Sequence, residues 1–241
     1  MAGWKYSDPI NELGLSIVID EGTLARTEMP LPGVLGIELA KKKVPKGINQ
    51  KEWDQIHNYQ YPTRRKLRCC LFWTSNTQKK DASKYVTAAD ELLTDHNLIL
   101  DVCPSDAKKT AARTIQFNEL VDISHYEELR QLVHQNHYDE GRIPVIFCRF
   151  AGSLGGESHD TGVTVKTLED WLPFILINDD KQIMDDLTLL HEMGHASNCG
   201  HMKTSDNLDV HNFMAYAPPK RKGILRKQVI KLARSYFTRD A

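Results

Sequence analysis

The chain carries almost no net charge: 31 Lys and Arg stand against 32 Asp and Glu, a formal balance of −1. That argues against a function built on bulk electrostatic attraction to nucleic acid or to a membrane surface. Cysteine is sparse and has no paired pattern. Cys69, Cys70, Cys103, Cys148 and Cys199 form no CxxC pair and are odd in number. This argues against a disulfide scaffold and leads to the expectation of a reducing compartment. Several lie in apolar runs, "LRCCLFW" and "PVIFCRF", where a free cysteine behaves as a small core residue. No apolar run approaches the length of a membrane span. The start "MAGWKYSDPINELG" lacks a basic segment followed by an apolar one, so no secretory signal is read there. The expectation is a cytoplasmic protein, with export by a route that needs no signal peptide left open. Internal repeats and low-complexity tracts are also missing.

What is present is length: 241 residues and 27.5 kDa, enough for one domain, or one domain plus an extension, with a core that needs no staples. Residues 1–62, with "MPLPGVLG" and "KKKVPKG", carry turn and loop signals and read as an N-terminal extension that supports, binds a partner or keeps the protein latent. Residues 63–241 read as the main domain. "LRCCLFWT", "LILDVC", "IPVIFCRFA" and "WLPFILIND" are apolar runs of buried-strand type, and "VTVK" is a short edge strand. "TIQFNELVDI" is ambiguous and is read as a further strand. "DASKYVTAADELLTDHN" spaces Val86, Ala89, Leu92 and Leu93 on one helical face. "SHYEELRQLVHQNH" reads as a helix capped by Ser124. "DDKQIMDDLTLLHEMGHAS" reads as a helix with Asp179 or Asp180 at its N-cap and Asp185 and Asp186 in its early turns. Ile183, Met184, Leu187, Leu190 and Met193 give that helix an apolar side, and "GILRKQVIKLARSYF" is a final helix. Strands mixed with helices predict an α/β or α+β domain around a mixed, twisted sheet.

The chemistry concentrates in "LLHEMGHASNCGHMK", which holds His191, His195 and His201. On a helix, four residues advance ~6 Å and turn ~40° past a full circle. His191 and His195 therefore project from one face. Glu192 follows the first of them, and H-E-x-x-H on a helix is a zinc motif in which the glutamate is the general base. Catalytic zinc needs a third protein ligand and an open position for water. His201 meets that need only if the helix breaks. In a continued helix it would lie ~9 Å further on and ~120° away. Asn198 and Gly200 both tolerate the left-handed backbone that such a break requires. The predicted Zn2+ ligands are His191, His195 and His201, with Glu192 as base.

"HEMGHASNCGH" resembles the long zinc motif of the metzincin clan of metallopeptidases, H-E-x-x-H-x-x-G-x-x-H, with Asn198 standing where that pattern has glycine. The clan also has a methionine turn beneath the metal, and "HNFMAY" supplies Met214. In astacin- and serralysin-like members a tyrosine two residues after that methionine can approach the metal, which implies an oxyanion-stabilising role for Tyr216. A surface tyrosine is the other reading of that residue. The specific match spans 191–216, and the order of elements is similar over about 66–238. The resemblance implies a metzincin-like zincin fold. Its upper subdomain, 63–201, would carry the active-site helix; its lower subdomain, 202–241, would carry the methionine turn and a C-terminal helix.

The expected function is zinc-dependent endopeptidase activity on a protein or peptide substrate lying extended along an edge strand, for which "TGVTVK" is the candidate. Neither nucleic acid nor membrane is an expected partner, and the oligomeric state is open. His211 competes as third ligand. Cys199 as a ligand would close the open position, so it reads as a turn residue. "GSLGGES" lacks the G-K-[ST] of a phosphate loop, and Ser158 and His159 read as solvated. The basic run "PPKRKGILRKQVIKLAR" reads as a docked helix with a charged outer face. The alternatives are a zinc-binding interaction or toxin-like protein with one dedicated partner, and a hydrolase of a non-peptide amide.

Overall fold

Ten residues from Arg65 to Thr74 form one long strand, β1, whose apolar side chains point alternately to two sides. The computed structural model describes residues 59–136, 141–152, 154, 161–165, 173–179, 186–202, 212–215 and 223–241. Within them β1 joins β2 (Leu98–Cys103), β4 (Ile143–Cys148), β6 (Phe174–Asn178) and β5 (Gly162–Val165) in the order β2-β1-β4-β6-β5. Along this order the pairs are parallel except β5, which runs antiparallel to β6 at the edge. β1 spans Arg65↔Leu98 to Cys70↔Cys103 on one side and Cys69↔Ile143 to Trp73↔Phe147 on the other. Its length leaves room for two short partners, β3 (Thr114–Ile115) and β7 (Thr238–Asp240).

Both faces of the sheet are covered, so its inner strands read as continuous apolar runs rather than alternating ones. Leu67, Leu71, Trp73, Val145, Phe147, Ile175 and Ile177 face one cluster. That cluster takes in α1 (Ser83–Thr94), α3 (Thr188–Ala196) and α4 (Arg226–Ala233). Phe72, Ile146, Cys148, Phe174 and Leu176 face the other, with Leu129 and Val133 of α2 (Tyr126–Gln135). The strand period of two thus sorts neighbouring residues onto opposite layers. In β5 it sends Val163 and Val165 to the second cluster and leaves Gly162 and Thr164 on the side of α3. This is a mixed α/β fold. Among the described residues no helix is long and apolar enough to cross a membrane.

Several sequence expectations need correcting. "TIQFNELVDI" is a strand only at Thr114–Ile115, and Val121 adds an isolated bridge to Phe150. Asp122, not Ser124, caps the turn leading into α2; its carboxylate accepts from the Ser124 amide at 2.8 Å. Asp179 is not the N-cap of the helix that carries His191 and His195; that helix begins at Thr188 after Leu187. Its carboxylate instead accepts from the Thr77 hydroxyl at 2.7 Å and from the backbone amides of Gln78 and Lys79. The helix that carries His191 and His195 starts at Thr188, with Asp186 in the preceding turn; Asp180, Ile183, Met184 and Asp185 lie outside the described residues. The final helix stops at Ala233, and the following residues turn into β7, antiparallel to the start of β1. Three charged or polar residues, Thr238 to Asp240, gave no apolar signal for that strand. Of the N-terminal extension only residues 59–62 are described. There the Tyr61 amide donates to His96 O at 2.9 Å and Asn97 Nδ2 donates to Tyr61 O at 2.9 Å. Four of the five cysteines are buried and Cys103 is half-buried. Burial pushes the thiols of Cys69 and Cys148 well above their ordinary value, as suits inert core residues.

Candidate metal centre

α3 inserts Leu189, Leu190, Met193 and Ala196 into the core. The same helix buries His191 and Glu192, while His195 is half-buried. It then stops. Asn198 adopts φ 59°, its amide bonds His195 O at 3.0 Å, and the Cys199 amide bonds Gly194 O at 2.9 Å. These two hydrogen bonds, around one left-handed residue, are the Schellman closure of a helix C-terminus. Asn is one of the few side-chain-bearing residues that accepts this conformation, so the break does not depend on glycine at 198. Lys231 of α4 donates to Asn198 O at 2.8 Å, and Ser235 donates to Ser197 Oγ at 2.6 Å, fixing the turn from outside.

The reversal brings exposed His201 back over the helix. His191 Nε2 lies 3.2 Å from His195 Nε2 and 3.2 Å from His201 Nε2, and His195 and His201 approach to 2.9 Å at the same atoms. The opposite ring nitrogens decide the protonation. His191 Nδ1 is 2.9 Å from Phe213 O and His195 Nδ1 is 3.0 Å from Cys199 O. A carbonyl can only accept, so each Nδ1 carries a hydrogen, and in the neutral ring each Nε2 then presents a lone pair. Converging lone pairs repel one another unless a cation sits among them. The three histidines form a group that could hold a metal ion.

Beneath them lies a turn from Asn212 to Ala215, closed by the Ala215 amide donating to Asn212 O at 2.9 Å. Met214 is fully buried in it. Its close approach to α3 depends on Gly194: a Cβ there would collide with the Met214 sulfur and stand 2.7 Å from the Phe213 ring. A glycine inside a helix costs ~1 kcal/mol relative to alanine, and here it provides the space for this contact. The turn is fixed by a reciprocal pair of buried amides. Asn212 Nδ2 donates to Gln228 Oε1 at 2.8 Å, and Gln228 Nε2 donates to Asn212 Oδ1 at 3.0 Å. Asn212 Oδ1 also accepts from the Met214 amide at 2.8 Å. The methionine turn is thereby tied to α4, and its Phe213 carbonyl is presented to His191.

Glu192 faces the edge strand. Thr164 Oγ1 of β5 lies 2.7 Å from Glu192 Oε2 and 2.8 Å from the carbonyl oxygen of the same residue. β5 comes this close because Gly162 has no side chain; a Cβ there would meet Thr188 Cγ2 at 2.9 Å and Glu192 Cγ at 3.0 Å. Thr164 went unread in the sequence because nothing in "TGVTVK" signals a partner 28 residues away. Gly194 did carry a signal, as an isolated glycine within a helical pattern.

The structure therefore brings His191, His195 and His201 together, with Glu192 on the same helix and Met214 directly against it. Cys199 is buried, and its carbonyl, not its thiol, serves His195. Tyr216, His211, Ser158 and His159 lie outside the described residues. No protein-family model matches the chain, and no curated protein matches it significantly.

Proposed function

We propose that the chain is a zinc-dependent endopeptidase of metzincin type. The observation that carries this reading is the triad of Nε2 atoms, 2.9 to 3.2 Å apart and freed as lone pairs by carbonyl acceptors behind two of the rings. Tetrahedral zinc with bonds of about 2.0–2.1 Å separates its ligand nitrogens by about 3.3 Å, so the donor set and spacing suit it. Among the described residues no fourth His, Cys, Asp or Glu joins the group, as a site that keeps a position open requires. The order of elements also supports the reading: sheet and helices first, then the helix with His191 and His195, then Met214 in a turn and the helix α4, after which the chain returns to the sheet as β7.

When bound, zinc would supply a water of lowered pKa, ~7, and a Lewis acid for the scissile carbonyl. The chain's residues do the rest. Glu192 takes the proton and passes it to the leaving amine. The antiparallel edge strand β5 pairs on one side with β6, and its other edge would take an extended peptide by backbone hydrogen bonds. Tyr216 is the further candidate for stabilising the oxyanion.

Two substitutions test this on the full chain. Glu192→Ala is expected to abolish cleavage of a broad peptide library while one zinc per chain remains by metal analysis. His201→Ala is expected to release the metal. Full activity in the first variant overturns the mechanism. Zinc retained in the second, but lost in His211→Ala, overturns the third ligand. Cleavage confined to a single protein or a non-peptide amide would favour a dedicated hydrolase.

A further inference from the structure

We infer that Thr164 is the positioning residue for Glu192, holding the base to the same strand that would receive the substrate; this rests on the endopeptidase reading above. The hydroxyl of Thr164 lies within hydrogen-bond distance of both the side chain and the backbone of Glu192, at 2.7 Å to Oε2 and 2.8 Å to the carbonyl oxygen. It has one hydrogen to give. An ionised carboxylate is the stronger acceptor, so the hydrogen goes to Oε2. That fixes one carboxylate oxygen, Oε2, against β5 and with it the orientation of the group that takes the proton. Glutamate has three side-chain torsions, and ordering a long side chain carries an entropy cost of about 1–2 kcal/mol. A base that must find its orientation at every turnover loses rate, and one held in advance does not.

The surroundings single out this contact. Gly162, two residues earlier on the same face of β5, removes the side chain that would hold the strand away from Glu192. The strand alternation turns Val163 and Val165 into the opposite cluster, so the α3 face of β5 consists of Gly162 and Thr164 alone. The Thr164 side chain points to the helix, whereas a peptide added to β5 would use backbone groups along its outer edge. Removing the hydroxyl should therefore disturb the base and spare binding.

The test compares Thr164→Val, which deletes the hydroxyl at nearly constant shape, with Thr164→Ser, which keeps it. Thr164→Val is expected to lower kcat about ten- to a hundred-fold, with KM within about twofold and zinc still at one per chain. Thr164→Ser is expected to restore most of kcat. In crystals of the metal-free Val variant Glu192 should occupy several orientations, and in the Ser variant one. Wild-type kcat in the Val variant, or a Ser variant as impaired as the Val variant at equal thermal stability, overturns the inference. If the wild-type chain cleaves no peptide at all, the endopeptidase reading fails. The crystals still decide this contact: one unchanged Glu192 orientation in the Val variant overturns it, and several support it.

Discussion

Between β1, β4 and β6 the chain is joined by fully buried Leu, Ile, Val and Phe side chains, each worth ~1.5–3 kcal/mol of transfer from water. Around the methionine turn the joints consist of one missing side chain at Gly194 and the Phe213 carbonyl aimed at the His191 ring, both toward α3, and a pair of buried amides toward α4. The first kind of contact is non-directional and shared over many residues, so trimming one member is absorbed. The second depends on direction and rests on a few named polar groups. A mixed sheet of this kind tolerates exchange among apolar residues of similar volume. The turns beneath it should lose metal binding before they lose the fold.

The largest expected effect follows from placing a side chain where the second kind of joint has none. Gly194→Val drives a branched side chain into Met214 and Phe213 and should destabilise the metal-free chain by at least about 2 kcal/mol. It should also abolish stoichiometric zinc binding while the far-ultraviolet circular dichroism of the sheet domain persists at low temperature. Ile177→Val in β6 is the counterpart, expected to cost ~1 kcal/mol and to leave one zinc per chain. Thermal denaturation in chelator, with metal analysis, measures both. Equal zinc loading in the two variants would erase the distinction between the regions.

The same distinction explains what could be read from the sequence. The inner strands were legible because a strand buried on both faces needs an unbroken apolar run, and "LRCCLFWT" and "PVIFC" are such runs. His191, His195 and the break before His201 were legible because helix geometry turns spacing into direction. β7 was not, since it is held to β1 by backbone pairing of Thr238, Arg239 and Asp240 and by an ion pair of Asp240 with Arg65, neither of which needs an apolar run. Nor was the role of Asp179, which looks like a helix cap until the fold brings Thr77, Gln78 and Lys79 to it from about 100 residues away. The contact of Thr164 with Glu192 belongs with these: long-range polar contacts leave no periodicity.

An intermediate effect is expected at the amide pair. Asn212→Ala leaves Gln228 and the Met214 amide without their partner oxygen inside the protein, a penalty of about 2 kcal/mol. Because Phe213 O orients His191, loosening this turn should also weaken zinc affinity by about ten- to a hundred-fold. Competition with a chromophoric chelator reads that affinity directly. Unchanged affinity with lowered stability would mean that the turn holds its carbonyl in place without the amide pair.

The smallest effect is expected at the position where the chain departs from the glycine of the long zinc motif. Asn198 sits at φ 59°, and the hydrogen bonds it makes at the turn use its backbone amide, to His195 O, and its carbonyl, from Lys231. Glycine would keep those bonds and remove the residual strain of a left-handed side chain, but would add freedom to the unfolded chain, and the two terms oppose each other. Asn198→Gly is therefore expected to stabilise by at most about 1 kcal/mol, with unchanged zinc affinity, whereas Asn198→Ala should destabilise by about 1 kcal/mol. Denaturant unfolding of the metal-free variants, with zinc titration of each, gives both quantities. A glycine variant clearly less stable than the parent, or one that binds zinc weakly, would show that the Asn198 side chain itself shapes the return of His201 and would make the break as side-chain-specific as the amide pair below it.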